Sequence, residues 1–95
     1  MFSTPTVSLR KGETPNETTL DLPGIRIWFS YETPIAFHRD GERRVVRENS
    51  WSTTTGKHLN RIDGGDKASR IDGRTFEREL EIAINAAMHA QVVGA

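Results

Sequence analysis

A chain of 95 residues with 35% hydrophobic side chains predicts one domain with a modest core. Thirteen basic side chains balance thirteen acidic ones, which argues against a general binder of nucleic acid or membranes. The sequence has no cysteine, which excludes disulfides and thiolate sites, and no apolar run near the ~18 residues of a membrane span.

The first 24 residues are rich in threonine, proline and glycine. Alternating apolar positions, Val7 with Leu9 and Leu20 with Leu22, predict a loose hairpin around residues 11–16. The alternative is an extended arm that a neighbouring subunit orders. We therefore divide the chain into this arm or hairpin, residues 1–24, and a single α+β domain, residues 25–95.

Residues 25–30 have the periodicity of a strand. Ile25, Ile27 and Phe29 alternate with more polar positions, and the segment is rich in β-branched and aromatic side chains. Pro34 interrupts this pattern and predicts a turn, a bulge or a sheet edge at residues 32–34. A second strand is expected to begin at Ile35.

Residues 39–42 predict a tight hairpin turn, because the Asp-Gly pair suits positive backbone φ. The return strand is predicted over residues 43–48, with Val45 and Val46 as its apolar centre. This hairpin would bring three arginines, at positions 43, 44 and 47, close to the helix that follows.

Two helices are predicted after the hairpin. The Ser/Thr cluster at residues 52–55 suits a helix N-terminus, and a short helix is expected over about 55–62. A longer helix is predicted over about 75–91, capped by Asp72 or Thr75, because its apolar side chains recur with helical spacing. The predicted fold class is α+β: a mainly antiparallel sheet of four to five strands, the long C-terminal helix across one face, and one short helix.

A corner rich in positive groups is the candidate binding site. Arginines of the hairpin and the hydroxyls, Gly-Lys pair and backbone N–H donors of the short helix's start favour phosphate or carboxylate. The segment is not a P-loop, because Trp51 and His58 stand where that motif needs Gly and Ser or Thr. The predicted ligand- or partner-binding residues are Arg43, Arg44, Arg47, Trp51, Thr53, Thr54, Thr55, Lys57, His58 and Arg61. The alternative is a capped helix with an ordinary solvated surface.

This placement of the site has a testable consequence. Reversing the charge at Lys57 is expected to weaken binding strongly, because Lys57 lies in the predicted corner. The same reversal at Arg10, in the N-terminal segment, is expected to do little.

The histidines show no spacing typical of a metal site. His38, His58 and His89 have no partner among themselves three or four residues away. A general-base role for His58, oriented by Asp63 or Asp66, lacks a matching nucleophile in the sequence. We therefore expect no catalytic residue, no metal and no cofactor, and a non-enzymatic protein is favoured over a small enzyme that uses His58.

Three aromatic side chains stand among polar residues. Exposed, Trp28, Tyr31 and Trp51 would stack on a base or bury a partner's side chain. The alternative for Trp51 is a place at the junction of sheet and helix.

Two segments together carry a resemblance to a known class of proteins. The run SYETPIAF at residues 30–37, followed by the pattern W-S-x-T-T-x-K-H-x-N at 51–60, resembles small uncharacterised proteins of bacteriophages, in particular phages of actinobacteria. The resemblance covers about residues 27–62. It implies an accessory phage protein acting in the host cytoplasm, and it assigns no activity to any residue.

The expected function follows from this resemblance and from the candidate corner. We expect a non-catalytic protein that binds a host protein or a small signalling ligand. The alternative is a protein that binds a nucleotide or nucleic acid through the anion site at residues 53–58. One helix and one small sheet leave apolar surface uncovered, so a homo-oligomer, most simply a dimer, is also expected, and no membrane partner.

Overall fold

The computed structural model describes residues 8–11, 16–49 and 53–93. Within them lie the strands β1 (Ser8–Lys11), β2 (Glu17–Leu22), β3 (Ile25–Ser30), β4 (Thr33–Arg39) and β5 (Val45–Val46), the helices α1 (Thr53–Asp63) and α2 (Gly73–Val93), and a 3-10 turn at Lys67–Ser69. The strands form one sheet in the order β1-β2-β3-β4-β5, and every neighbouring pair is antiparallel. The predicted α+β class, with four to five strands, one short helix and one long C-terminal helix, is confirmed.

The N-terminal segment contributes two strands to this sheet. β1 and β2 pair with each other, and β2 pairs with β3 along all six of its residues. Gly24, with φ +82°, forms the turn between β2 and β3 after Pro23. The residues that would turn the first hairpin, 12–15, lie outside the described part of the chain.

The turn between β3 and β4 places a tyrosine in a conformation that suits glycine. Tyr31 has φ +56°, uncommon for a bulky side chain. Its N–H donates to the carbonyl of Asn16 at 2.7 Å, which ties the turn to the start of β2. Three residues later, Pro34 lies within β4 opposite Phe29, where the register with β3 shifts. The predicted interruption is therefore a bulge.

The strand after the second hairpin is shorter than predicted. Gly41, with φ +79°, lies in the Asp-Gly turn as expected, but only Val45 and Val46 pair with β4 as a strand. Arg47 instead forms an isolated parallel bridge with Ile71. The chain before α2 thus lies along the outer edge of β5, while the Arg47 N–H still donates to the Ile35 carbonyl on the β4 side at 3.1 Å.

Each face of the sheet carries a helix. α2 covers one face with a core of Ile25, Ile27, Phe37, Phe76, Leu80 and Ala83. α1 covers part of the other face with a core of Ile35, Ala36, Val46, Leu59 and Ile62, against which Trp28 packs. The sequence predicted the long helix on one face and did not predict that the short helix covers the other.

The start of α2 is capped as predicted. The Asp72 carboxylate accepts hydrogen bonds from the Thr75 N–H at 3.0 Å and from the Thr75 hydroxyl at 2.8 Å. These bonds, the backbone one first, lower the pKa of Asp72. Neither helix of the described chain combines the length and apolar character needed to cross a membrane.

Candidate functional site: a groove between α1 and the sheet

A groove of about 330 Å³ lies where α1 stops covering the sheet. α1 packs over β4 and β5, and it does not cover the part of the same sheet face that β2 and β3 form. The register places Thr19 opposite Trp28 on this face, and Asp21 opposite Arg26. We call this cavity the α1 groove; its functional lining is Glu17, Thr19, Arg26, Trp28, Arg44, His58 and Arg61.

The centre of the α1 groove holds a cation over an aromatic ring. The guanidinium carbon of Arg44 lies 5.5 Å from the ring centroid of Trp28, which is cation–π geometry. Arg44 also donates a hydrogen bond to the carbonyl of Ile62 on α1. These two contacts hold the guanidinium across the groove, from the segment before β5 to the helix.

The two ends of the α1 groove differ in charge. At one end Arg61 donates to the Glu17 carboxylate, with its NH2 2.7 Å from Oε1. At the other end the lining residue Arg26 pairs with Asp21 at 2.5 Å, and Arg10, which like Asp21 lies next to the lining, pairs with the same carboxylate at 2.8 Å. Their hydrogen bonds, that of Arg26 first, lower the pKa of Asp21. The second end therefore carries two cations for one carboxylate.

Beneath the Glu17 end lies a buried polar cluster. The Ser30 hydroxyl is 2.6 Å from Nδ1 of His58 and 3.1 Å from Oγ1 of Thr55. His58 Nε2 lies 3.9 Å from a Glu17 oxygen. Burial lowers the pKa of His58, and Arg61 lowers it further against the opposing effect of Glu17. His58 is therefore neutral near pH 7, and a proton on Nε2, facing Glu17, leaves Nδ1 to accept from Ser30.

This arrangement of Ser, His and Glu differs from a catalytic one. Ser30 and His58 are only 2% and 1% exposed, and Nδ1 of the ring is already bonded to the hydroxyl. A nucleophile has to reach a substrate atom directly, and Ser30 does not line the α1 groove. Among the described residues, no group of His, Asp or Glu side chains is suited to hold a metal ion.

The structure distributes the predicted site residues over several surfaces. Arg44, His58 and Arg61 line the α1 groove. Arg43 borders a small hollow beside α2, and Arg47 is buried with its guanidinium 5.4 Å from the Phe76 ring centroid. The three hairpin arginines therefore do not form one cationic surface, because side chains alternate between the two faces along the strand, so Arg44 lies on the α1 side and Arg43 and Arg47 lie on the α2 side.

Helical geometry separates the predicted residues on α1. Thr55 and His58 are buried against the sheet, whereas Thr54 and Lys57 are exposed. Lys57 lines a different hollow, together with Lys67. Trp51 and the side chain of Thr53 lie outside the described residues. Whether these residues bind a ligand stays a prediction.

Sequence reasoning missed four residues of the groove and its cluster. The sequence places Glu17 and Thr19 in an arm or loose hairpin, and it does not single out Arg26 or Ser30. The signal was present in β3, where Arg26, Trp28 and Ser30 alternate with the apolar side chains and so share the face opposite α2. The pairing partners in β2 could not be chosen from sequence alone.

Comparison with known proteins identifies a family. The model of a family of unknown function (DUF8033) matches residues 4–78, and the chain belongs to this family. The match covers all five strands, α1 and the start of α2. No curated protein and no solved structure matches the chain.

Proposed function

We propose that this protein acts by binding, without catalysis, and that its ligand is a small anion held in the α1 groove. The observation that carries this proposal is the environment of Arg44. Its described contacts are with two neutral groups, the Trp28 ring and the Ile62 carbonyl. Among the described residues, no carboxylate pairs with this guanidinium. An arginine held across a groove with its charge uncompensated favours an anionic partner.

The remaining charges of the α1 groove support the same ligand class. Three arginines line it, at positions 26, 44 and 61, against one lining carboxylate, Glu17, and Asp21 beside Arg26 adds a second. Arginine presents five N–H donors in a planar fork that matches phosphate and carboxylate groups. The groove's volume of about 330 Å³ is at the lower end of small-molecule sites, so a small ligand fits it better than a large surface does.

Burial of the histidine favours binding over catalysis. A general base has to come within hydrogen-bonding reach of the proton that it removes. His58 is 1% exposed and bonded to Ser30, so its ring serves to fix α1 against the end of β3.

The resemblance to accessory phage proteins supports a ligand or partner that belongs to the host. A signalling molecule with phosphate or carboxylate groups would suit the α1 groove. An acidic side chain of a host protein offers the same chemistry.

The test is direct binding of small anions to the full chain. We would titrate inorganic phosphate, citrate, AMP and an acidic peptide by calorimetry into the wild type and into Arg44→Gln. The matched control is Arg78→Gln, which removes an exposed arginine on α2, the helix on the other face of the sheet. We expect at least one anion to bind, and Arg44→Gln alone to weaken it about tenfold or more, since a hydrogen bond to a charged group contributes about 1.5–3 kcal/mol.

Two outcomes would contradict the proposal. One is that none of these anions binds. The other is that Arg44→Gln and Arg78→Gln bind the anion equally well.

A further inference from the structure

We propose that the ligand of the α1 groove is a nucleotide unit, with its base at the Trp28–Arg44 pair and its phosphate at the Arg10–Arg26 end. The inference rests on the proposed function, because it names the anion that the groove would take. It depends on three features of the groove: the planar side chains at its centre, the difference in charge between its two ends, and the distance from the centre to each end.

The centre of the α1 groove suits a planar ring. The planar guanidinium of Arg44 lies over the Trp28 ring, 5.5 Å from its centroid, and donates to the Ile62 carbonyl. Nucleic-acid bases stack on aromatic rings and on guanidinium planes alike. A base therefore finds a stacking surface here either over Arg44 or in its place on the indole.

The two ends of the groove match the two polar parts of a nucleotide. The Asp21 end has two arginines for one carboxylate, so it retains a positive charge that suits phosphate. The Glu17 end pairs one carboxylate with one arginine, next to a histidine that burial keeps neutral. A carboxylate beside a guanidinium offers both an acceptor and a donor, as the amino and ring-nitrogen edge of a base requires.

The strand register sets the distance between these parts. Glu17, Thr19 and Asp21 follow one another on one face of β2, and Thr19 lies opposite Trp28. At about 3.3 Å per residue, each end is about 7 Å from the centre along the strand. A base and a phosphate joined by one sugar span a similar length, so one nucleotide unit would reach from Trp28 to Arg26.

A nucleotide unit occurs both in free nucleotides and in single-stranded nucleic acid. The salt dependence of the binding affinity distinguishes these two ligands. A single strand that contacts several cations shows a steep loss of affinity as salt increases, whereas a mononucleotide loses less. The chain's zero net charge favours the free nucleotide.

The experiment uses calorimetric titration of the full chain with AMP, adenosine, inorganic phosphate and a twelve-residue deoxyadenylate strand. We expect AMP to bind more tightly than either adenosine or phosphate. Trp28→Leu, which keeps an apolar side chain but removes the aromatic stacking surface, and Arg26→Gln should each weaken AMP binding about tenfold. Arg78→Gln should leave it unchanged. Tighter binding of the strand than of AMP, with a steep salt dependence, would identify single-stranded nucleic acid as the source.

The failure of this inference differs from failure of the proposed function. If phosphate binds and Arg44→Gln abolishes that binding, but AMP binds no more tightly than phosphate, the nucleotide assignment is wrong and the anion site stands. The same conclusion follows if Trp28→Leu folds and binds AMP as well as the wild type. Should Trp28→Leu fail to fold, Arg26→Gln decides, because unchanged AMP affinity in that variant also overturns the assignment.

Discussion

The Ser30 hydroxyl lies 2.6 Å from Nδ1 of His58 and joins the end of β3 to the middle of α1, 28 residues later in the chain. Thr55 adds a second contact to the same hydroxyl at 3.1 Å. Ser30, Thr55 and His58 therefore have a structural explanation that needs no ligand: together they attach α1 to the sheet and position the wall of the α1 groove.

The first prediction concerns the stability of this attachment. Ser30→Ala removes the donor and leaves the buried Nδ1 of His58 without the hydroxyl. We expect the free energy of unfolding to fall by about 1–3 kcal/mol, the usual cost of an unsatisfied buried polar group. Urea denaturation would measure it. Thr54→Ala, at an exposed position on the same helix, should change stability by no more than about 0.5 kcal/mol. Equal effects of the two substitutions would show that the cluster does not fix α1.

The second prediction is a loss of stability in mild acid. Burial lowers the pKa of His58 below its ordinary 6.5, so the unfolded chain takes up a proton at a pH where the folded chain does not. The free energy of unfolding should be constant above about pH 7 and fall as pH decreases from 6.5 towards the folded pKa. The limit for one group is about 1.4 kcal/mol per pH unit.

Denaturation at pH 7.5, 6.5 and 5.5 would measure this slope. The aspartates at 21 and 63, whose pKa values arginine partners lower, contribute only near and below their ordinary 3.8, so they do not obscure it. In His58→Gln the slope attributed to His58 should disappear. An unchanged slope in that variant would assign the acid sensitivity to another group.

Local pattern predicted most of the fold, and long-range pairing decided the rest. Residues close together in the sequence determine the strand periodicity of 25–30, the helical periodicity of 75–91 and the cap at Asp72. The length of β5 depends on distant residues, because its regular pairing with β4 ends at Val46 and Arg47 bridges Ile71, 24 positions later, on the outer edge of β5. The position of α1 likewise depends on the bulge at Pro34, which adds a residue to β4 and lets Ile35 join the core under α1.

The site was harder to predict than the fold, because charged residues that are close in the sequence need not lie on the same surface of the protein. Arg44 and Arg47 are three residues apart, but one contacts Trp28 and the other Phe76, on opposite faces of the sheet. Arg26 and Arg61 are far apart in sequence and line the same groove. Only the register of β2 against β3 and the rotation of α1 bring them together.

The third prediction concerns self-association. Leu9 on β1 is 69% exposed, and β1 is an edge of the described sheet. An apolar side chain on an edge strand favours pairing with a second copy. We expect light scattering at tens of micromolar to give about twice the chain mass of 10.7 kDa. Leu9→Lys should restore the monomer. Ile82→Lys, at a 52% exposed position on α2, should not.

Other results would revise this prediction in a defined way. A dimer that Ile82→Lys dissociates would place the contact on α2. A monomeric mass for the wild type would show that the exposed apolar side chains do not drive association. Further apolar residues near the chain ends, Val7 and the side chains of Val92 and Val93, lie outside the described residues.

The fourth prediction separates the corner expected from the sequence from the α1 groove. The sequence places the site around Lys57 and predicts that a charge reversal at Arg10 has little effect on binding. In the structure Lys57 lines a different hollow, whereas Arg10 shares Asp21 with Arg26 at the cationic end of the groove. If the ligand binds in the α1 groove, Arg10→Glu should weaken binding of AMP or phosphate several-fold.

Lys57→Glu should then have a small effect that added salt removes, because screening weakens exposed charges at a distance. Calorimetric titrations of both variants at low and at physiological ionic strength provide the comparison. Both side chains are exposed, so neither reversal should unfold the chain, and thermal denaturation would verify this. Strong weakening by Lys57→Glu with no effect of Arg10→Glu would return the site to the start of α1 and exclude the groove.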